Sequence, residues 1–209
     1  MTKPELLALF RTLADDAVAP YLCSDTQVNL WISEAEREGA ERALYLRTSA
    51  THNIAVLSGT AAYTINSGII FIDRAKLSSE RKPLLKTTRA ELDANVTDWE
   101  NVTGTPKYYF LANMSLTLYP KPDAGFTLTL DGSRRPATDM ETPGYLHESL
   151  AHWLLYRFYS VRDADANSVQ LSQQNLQTFA QIFGYKRKAS FETAWRNSSY
   201  SALFTSNPF

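Results

Sequence analysis

The sequence is short of cysteine, glycine and net charge. Of its 209 residues only Cys23 is a cysteine, which excludes an internal disulfide framework and a cysteine-based zinc site. Eight glycines are present, and none falls into a GxxxxGK[ST] or GxGxxG phosphate loop or a GxSxG nucleophile elbow. The 21 Lys+Arg against 22 Asp+Glu give a formal charge of −1, which argues against a protein that grips nucleic acid over its whole surface. No apolar run approaches the roughly 20 residues that cross a bilayer. The opening MTKPELLALF carries one lysine and then a helix-like pattern, so neither a cleaved leader nor a membrane partner is expected. There is no repeat and no low-complexity run. What is present is a 44% apolar chain, too hydrophobic for disorder and long enough to bury a core.

Three zones differ in period. The first, 1–47, is helical. Thr2 and Glu5 have capping-box spacing, and Leu6, Leu9, Phe10 and Leu13 make one stripe, predicting a helix over about 4–17 that ends before Pro20. Ser24 and Gln27 open a second helix, with Val28, Trp31, Ile32, Ala35, Gly39, Ala43 and Leu46 on one face. Its other face reads Glu34, Glu36, Arg37, Glu38, Glu41, Arg42. Such a run is ordinarily a solvated helix face; here it is also a candidate for half of a charge contact between subunits. Residues 1–46 hold four basic and eight acidic side chains.

The second zone, 48–138, alternates like strands. AAYTINSGIIFIDR predicts a hairpin around Asn66-Ser67-Gly68, and KYYFLANMSLTLYP one turning at Asn113-Met114. GFTLTLD is a strand with Phe126, Leu128 and Leu130 on one side. With no helix-length crossover, the pieces predict an antiparallel meander or sandwich. Thr88 and Glu91 again have capping-box spacing and predict a short helix. The third zone, 139–184, returns to helices. Thr142-Pro143 reads as an N-cap with Pro in the first turn. A further helix starts near Asp163 or Asp165, carries a stripe of Val169, Leu176, Phe179, Ala180 and Phe183, has little charge elsewhere, and ends at Gly184. The fold class expected is α+β: a helical bundle built from N- and C-terminal helices, with an inserted antiparallel β module.

Residues 185–209 are a separate segment. Lys186, Arg187, Lys188 and Arg196 stand against one acid, with Tyr185, Phe191, Trp195, Tyr200, Phe204 and Phe209 spread among Ser and Asn. Weakly periodic aromatics of this kind are poor material for a core helix. They suit an extended arm that docks its rings in a partner's pockets, so Lys186, Arg187, Lys188, Phe191, Trp195, Tyr200, Phe204 and Phe209 are the candidate docking residues.

Signals for chemistry are weak. His147 and His152 resemble HExxH, but a separation of five turns the rings about 140° apart on a helix. Cys23 lacks an identifiable partner. A carboxylate pair such as Glu91 with Asp98 stays open, because such pairs are recognised by separation in space. Four Asn-x-Ser/Thr sequons, at Asn95, Asn101, Asn113 and Asn197, read as turn composition. No enzymatic activity, cofactor or metal is expected.

Four segments resemble one family. Trp31-Ile32-Ser33-Glu34-Ala35-Glu36-Arg37-Glu38, then Thr88-Arg89-Ala90-Glu91-Leu92-Asp93 with Asp98-Trp99 and Gly104-Thr105-Pro106-Lys107-Tyr108-Tyr109, then Leu118-Tyr119-Pro120-Lys121-Pro122-Asp123-Ala124, and finally Tyr145-Leu146-His147-Glu148-Ser149-Leu150 through Tyr156-Arg157-Phe158-Tyr159-Ser160 are similar, in this order, to the head-to-tail adaptor (connector) proteins of tailed bacteriophages. The resemblance covers about 24–184; the aromatic tail is not part of it. It implies a structural virion protein whose copies form a homo-oligomeric ring, a dodecamer, beneath the portal protein. The ring would extend the DNA channel without sequence-specific binding and offer a surface to the tail or nozzle protein. The protein would sit at the neck of the virion after assembly in the host cytoplasm. On this reading Glu34, Arg37, Glu38 and Glu41, with Arg134 and Arg135, form an intersubunit or lumen face. The alternatives are an adaptor with cell-wall hydrolase activity and a ligand-binding β module.

Overall fold

The computed structural model describes residues 1–161 and 166–188, with Ala194 and Ser198. The protein is α+β. The chain divides into two compact units: Met1–Leu46 with Arg134–Lys186, and Arg47–Ser133 with the described residues from Arg187 on.

The first unit is helical. Helix α1, Lys3–Leu13, opens with the predicted capping box: the Glu5 amide donates to Thr2 Oγ1 (3.4 Å) and the Thr2 amide to Glu5 Oε2 (2.7 Å). It ends one turn earlier than the Pro20 signal implied. Asp15 takes a left-handed conformation (φ 54°) and the Asp16 amide folds back onto the Arg11 carbonyl. Leu13, predicted in the stripe, is exposed. Helix α2, Asp25–Ala43, is capped by Ser24 and closed by left-handed Leu44, so Leu46 is buried from the segment after the helix rather than from its face.

Thr142 does not cap the next helix. A 3-10 turn, Gly144–Leu146, comes first, and Thr142 is held by Glu36 instead. Two further α-helices of this unit, here α4, His147–Val161, and α5, Ala166–Phe183, form a hairpin. Gly184 closes α5 at φ +90°, its amide donating to the Ala180 carbonyl. Val169 is exposed, so the α5 stripe begins further along than its predicted first member. The core is Leu6, Phe10, Val28, Trp31, Ile32, Leu150, Leu154, Phe158, Phe179 and Phe183. Phe10 packs edge-on against Trp31 (6.3 Å) and Phe158 (5.6 Å). At Gly39 a Cβ would lie 3.1 Å from the Phe183 ring, so this glycine lets α2 approach the end of α5. Helices α1 and α5 each pack on α2 and α4 rather than on each other.

The second unit holds two main sheets. One has the order β1 (Ile54–Val56), β9 (Phe126–Arg134), β3 (Ile69–Leu77). The other has the order β2 (Ala62–Thr64), β7 (Ser115–Tyr119), β6 (Tyr108–Ala112), β4 (Leu85–Lys86). Strands β5 (Thr103–Gly104) and β8 (Lys121–Pro122) make a short parallel pair, and β4 runs parallel to β6. The β6–β7 hairpin turns at Asn113-Met114 as predicted, with Phe110 opposite Thr117. The hairpin predicted around Asn66-Ser67-Gly68 does not form. The turn is there, with the Gly68 amide on Asn66 Oδ1 (2.8 Å), but it carries the chain from one sheet to the other. Strand β2 pairs with β7, and β3 lies beside β9. The arrangement is therefore not a sequential meander: apart from the β6–β7 hairpin, the strands bury Ile65, Ile69, Ile72, Leu77, Leu111, Leu116, Leu118, Leu128 and Leu130 in a shared core through pairings distant in sequence. Gly132 is required by contact, because a Cβ there would collide with the Phe71 carbonyl. The short helix α3, Arg89–Asn95, has its full capping box of Thr88 and Glu91. Trp99 packs edge-on against Phe110 (5.7 Å) and Tyr119 (6.2 Å) and donates to Asp93 Oδ1 (2.7 Å), closing a satellite core with Leu92.

Candidate functional site

The charged side of α2 is the first candidate, and most of it is engaged within its own chain. Glu34 pairs with Arg157 (3.3 Å) and Glu41 with Arg135 (2.6 Å), while Arg134 pairs with Glu141 (2.6 Å). Glu36 and Glu38 do not face solvent, contrary to the reading of this run as a solvated face. Glu36 accepts from the Met140 amide (2.8 Å), the Thr142 amide (3.2 Å) and the Thr142 hydroxyl (3.1 Å). It thereby pins the segment that leads into α4. Glu38 is buried against Arg42 (3.2 Å) and Lys186 (2.6 Å). Their burial is tolerated because each carboxylate has several donors. Arg37 is exposed and, with Arg135 and Asp139, lines an open groove of about 390 Å3. The structure thus brings Arg37, Glu41, Arg134 and Arg135 into one neighbourhood, while Glu38 sits beneath the surface.

A second construction was not legible in the sequence. Arg11, one residue after the stripe member Phe10, turns inward and is 4% exposed. Its guanidinium pairs with buried Asp16, donates to Asp25 Oδ1 (2.7 Å) and to the Cys23 carbonyl (2.6 Å), and stacks 3.9 Å above the Tyr21 ring. Asp16 in turn accepts from the Leu22 amide (2.8 Å). Burial opposes the Arg11 charge, but the bonds to Asp25 and Asp16 outweigh it and hold its pKa above the ordinary arginine value. The 14–24 connection is therefore tied from inside while Val18 (82% exposed), Leu22 (61%) and Tyr21 (47%) face outward beside exposed Asp15, next to Leu13 (50%) at the end of α1. The available signal was an arginine on the apolar side of a helix, followed by Asp16 and Asp25.

The third feature is α5, which contains no Asp, Glu, Lys or Arg in 18 residues. Its outward positions are Val169, Gln170, Gln173, Gln174, Gln177, Gln181 and Ile182. Just beyond it, the Gly184 carbonyl accepts from Arg42 (3.5 Å) and Lys186 is held by Glu38. Arg187 lies over the Phe71 ring (5.3 Å) and Lys188 is exposed. The predicted arm residues Phe191, Trp195, Tyr200, Phe204 and Phe209 lie outside the described residues.

The remaining candidates are held apart. His147 Nε2 donates to the Thr142 carbonyl (2.6 Å), whereas His152 Nδ1 meets Asn175 Oδ1 (3.0 Å) on α5. Glu91 serves the α3 capping box, while Asp98 accepts from Asn101 (2.7 Å). Cys23 is buried. In the β unit, Lys86, Glu91, Tyr108 and Tyr119 line an open cleft of about 390 Å3, and burial brings the Lys86 ammonium down to about 8. No helix among the described residues is long and apolar enough to cross a membrane.

A family model described as SU10 adaptor protein matches residues 1–201. The chain belongs to this family. It is a family of phage head-to-tail adaptors, so the protein is a structural component of a virion. No curated protein matches the chain. In this chain the segments that carried the resemblance turn out to be packing elements. Trp31, Ile32 and Ala35 are core residues of α2, with Glu36 and Glu38 as its buried anchors. Trp99 closes the satellite core, and Leu150, Leu154 and Phe158 fill the centre of the helical unit.

Proposed function

We propose that this protein acts as a ring-forming collar that docks on the portal protein, extends the DNA channel and presents the surface on which the tail is mounted. The observation that carries this reading is the family match, which runs over residues 1–201. Copies stand side by side around the ring, twelve in number, through a heterologous contact that closes by rotation. The segment 185–209 engages the portal. Arg187 and Lys188 steer it, and Phe191, Trp195, Tyr200, Phe204 and Phe209 anchor it; Lys186 secures its root through Glu38. Glu34, Arg37, Glu41, Arg134 and Arg135 contribute to a face toward the neighbour or the lumen, with Glu38 supporting it from below. DNA passes without sequence-specific contact, because an acidic wall contributed by α2 repels phosphate.

The reading is tested by mixing purified protein with its portal and imaging the particles. Rings of fixed stoichiometry stacked coaxially on portal are expected; a chain that stays monomeric beside intact portal overturns the reading. A chain truncated after Lys188 keeps the Lys186–Glu38 pair and should fold but fail to join portal-bearing heads. Wild-type occupancy by that truncation would refute the docking role of the arm.

A further inference from the structure

The reading of the protein as a ring leaves open which surfaces meet between copies, and the helical unit carries two flanks that fit the task. Helices α1 and α5 each pack on α2 and α4, so α2 and α4 stand between the outer side of α1 and that of α5. One flank bears the connection 14–24, with Val18, Tyr21 and Leu22 exposed and its backbone tied by Arg11 and Asp16. The other flank is the outer face of α5, whose 18 residues include no charge in a chain that is 21% charged overall. Depletion of charge is the compositional mark of an interface centre. A preorganised apolar knob loses little conformational entropy when it docks. Glutamine side chains can lay their stems against such a knob while their amides satisfy its backbone groups.

The two flanks also lie at the same end of the bundle. Phe10, near the end of α1, packs on Phe158 near the end of α4. Ser160 on α4 bonds Ser172 in the first half of α5 (2.8 Å). The knob and the first half of α5 are therefore level along the bundle. With the ring axis along the bundle, a cyclic head-to-tail contact requires two different patches, on opposite sides, at one height. A portal or tail protein would need only one of them. DNA is a poor occupant of either, since neither offers a cation to phosphate.

Resting on the ring reading, we infer that the knob around Val18 and Leu22 of one copy seats on the Gln170–Gln173–Gln177 face of α5 in the next copy, and that this is the contact closing the ring. Val18→Cys combined with Gln173→Cys tests it, in rings assembled on portal and oxidised with copper–phenanthroline. The double variant should give a ladder of covalent multimers, and each single variant should give none. Leu22→Glu changes an exposed residue and should leave the thermal unfolding curve in place while lowering ring occupancy at least tenfold; Gln173→Lys on the same chain should recover part of that loss. Rings that form while both this cysteine pair and Val18→Cys with Gln177→Cys stay uncross-linked, and while Leu22→Glu assembles normally, overturn the contact and leave the ring reading intact. A wild-type chain that makes no rings with portal overturns both.

Discussion

The helical unit and the β unit hold their charges in opposite ways. In the helical unit Arg11, Asp16, Glu36 and Glu38 are buried, and each ties a connecting segment or a chain end to a helix. In the β unit the ion pairs lie outside: Arg47 with Asp73, Arg74 with Asp131 and Arg89 with Glu100 all join largely exposed side chains. The sheets are instead held by apolar residues on paired strands. Helices bring side chains together on stripes but leave their connections loose, and buried ion pairs fix those connections. Strand pairing already fixes the register of a β unit, so its ion pairs are left at the surface.

The sharpest way to break this contrast is Arg11→Met. It leaves Asp16 buried without its cation, and losing one partner of a buried pair costs about 3–5 kcal/mol. Urea unfolding should register that loss, and proteolysis should cut within 14–24.

Acid should sharpen the contrast next. Burial opposes ionisation of Glu141, but bonds from the Thr138 and Ala137 amides, the Thr138 hydroxyl and Arg134 prevail and hold its pKa at about 2. A carboxyl depressed from 4.5 in the folded state gives stability that is present above the unfolded value and lost as pH falls toward 2. Glu141→Gln should remove about 1–2 kcal/mol of that pH-dependent part, allowing for solvent screening, as read from melts between pH 5 and 2.

The β unit's buried Lys86 provides the converse. Its pKa is lowered to about 8, so between pH 8 and 10.5 the unfolded chain binds more protons than the folded one, and stability rises with pH across that window. Lys86→Met should flatten the rise and, at neutral pH, gain about 1 kcal/mol from the relieved desolvation. Smallest of all should be Arg89→Ala, which removes an exposed pair and should change unfolding by about 0.5 kcal/mol or less.

What was legible in the sequence was local. The capping boxes at Thr2 and Thr88, the Gly184 helix end and the turn at Asn113-Met114 are satisfied within a few residues, so sequence spacing suffices. What was misread depends on distant partners. Glu36 looked solvent-facing because its donors, Met140 and Thr142, come more than 100 residues later. Thr142 looked like a cap until Glu36 and Tyr45 claimed it. The Asn66-Ser67-Gly68 turn joined two strands that looked like neighbours, because nothing local says that β2 prefers β7. The candidate surface was legible only in part. The scarcity of charge in α5 could be counted, but the inward turn of Arg11, which shapes the other flank, could not.

The close approach at Gly39 reaches beyond packing. Phe183 presses on the one α2 position without a side chain, and the next residue, Gly184, sets the direction in which the polypeptide departs. A single methyl group at Gly39 would press that ring outward and disturb the helix end at Gly184. The smallest residue of the second helix thus sets where the fifth helix can stop.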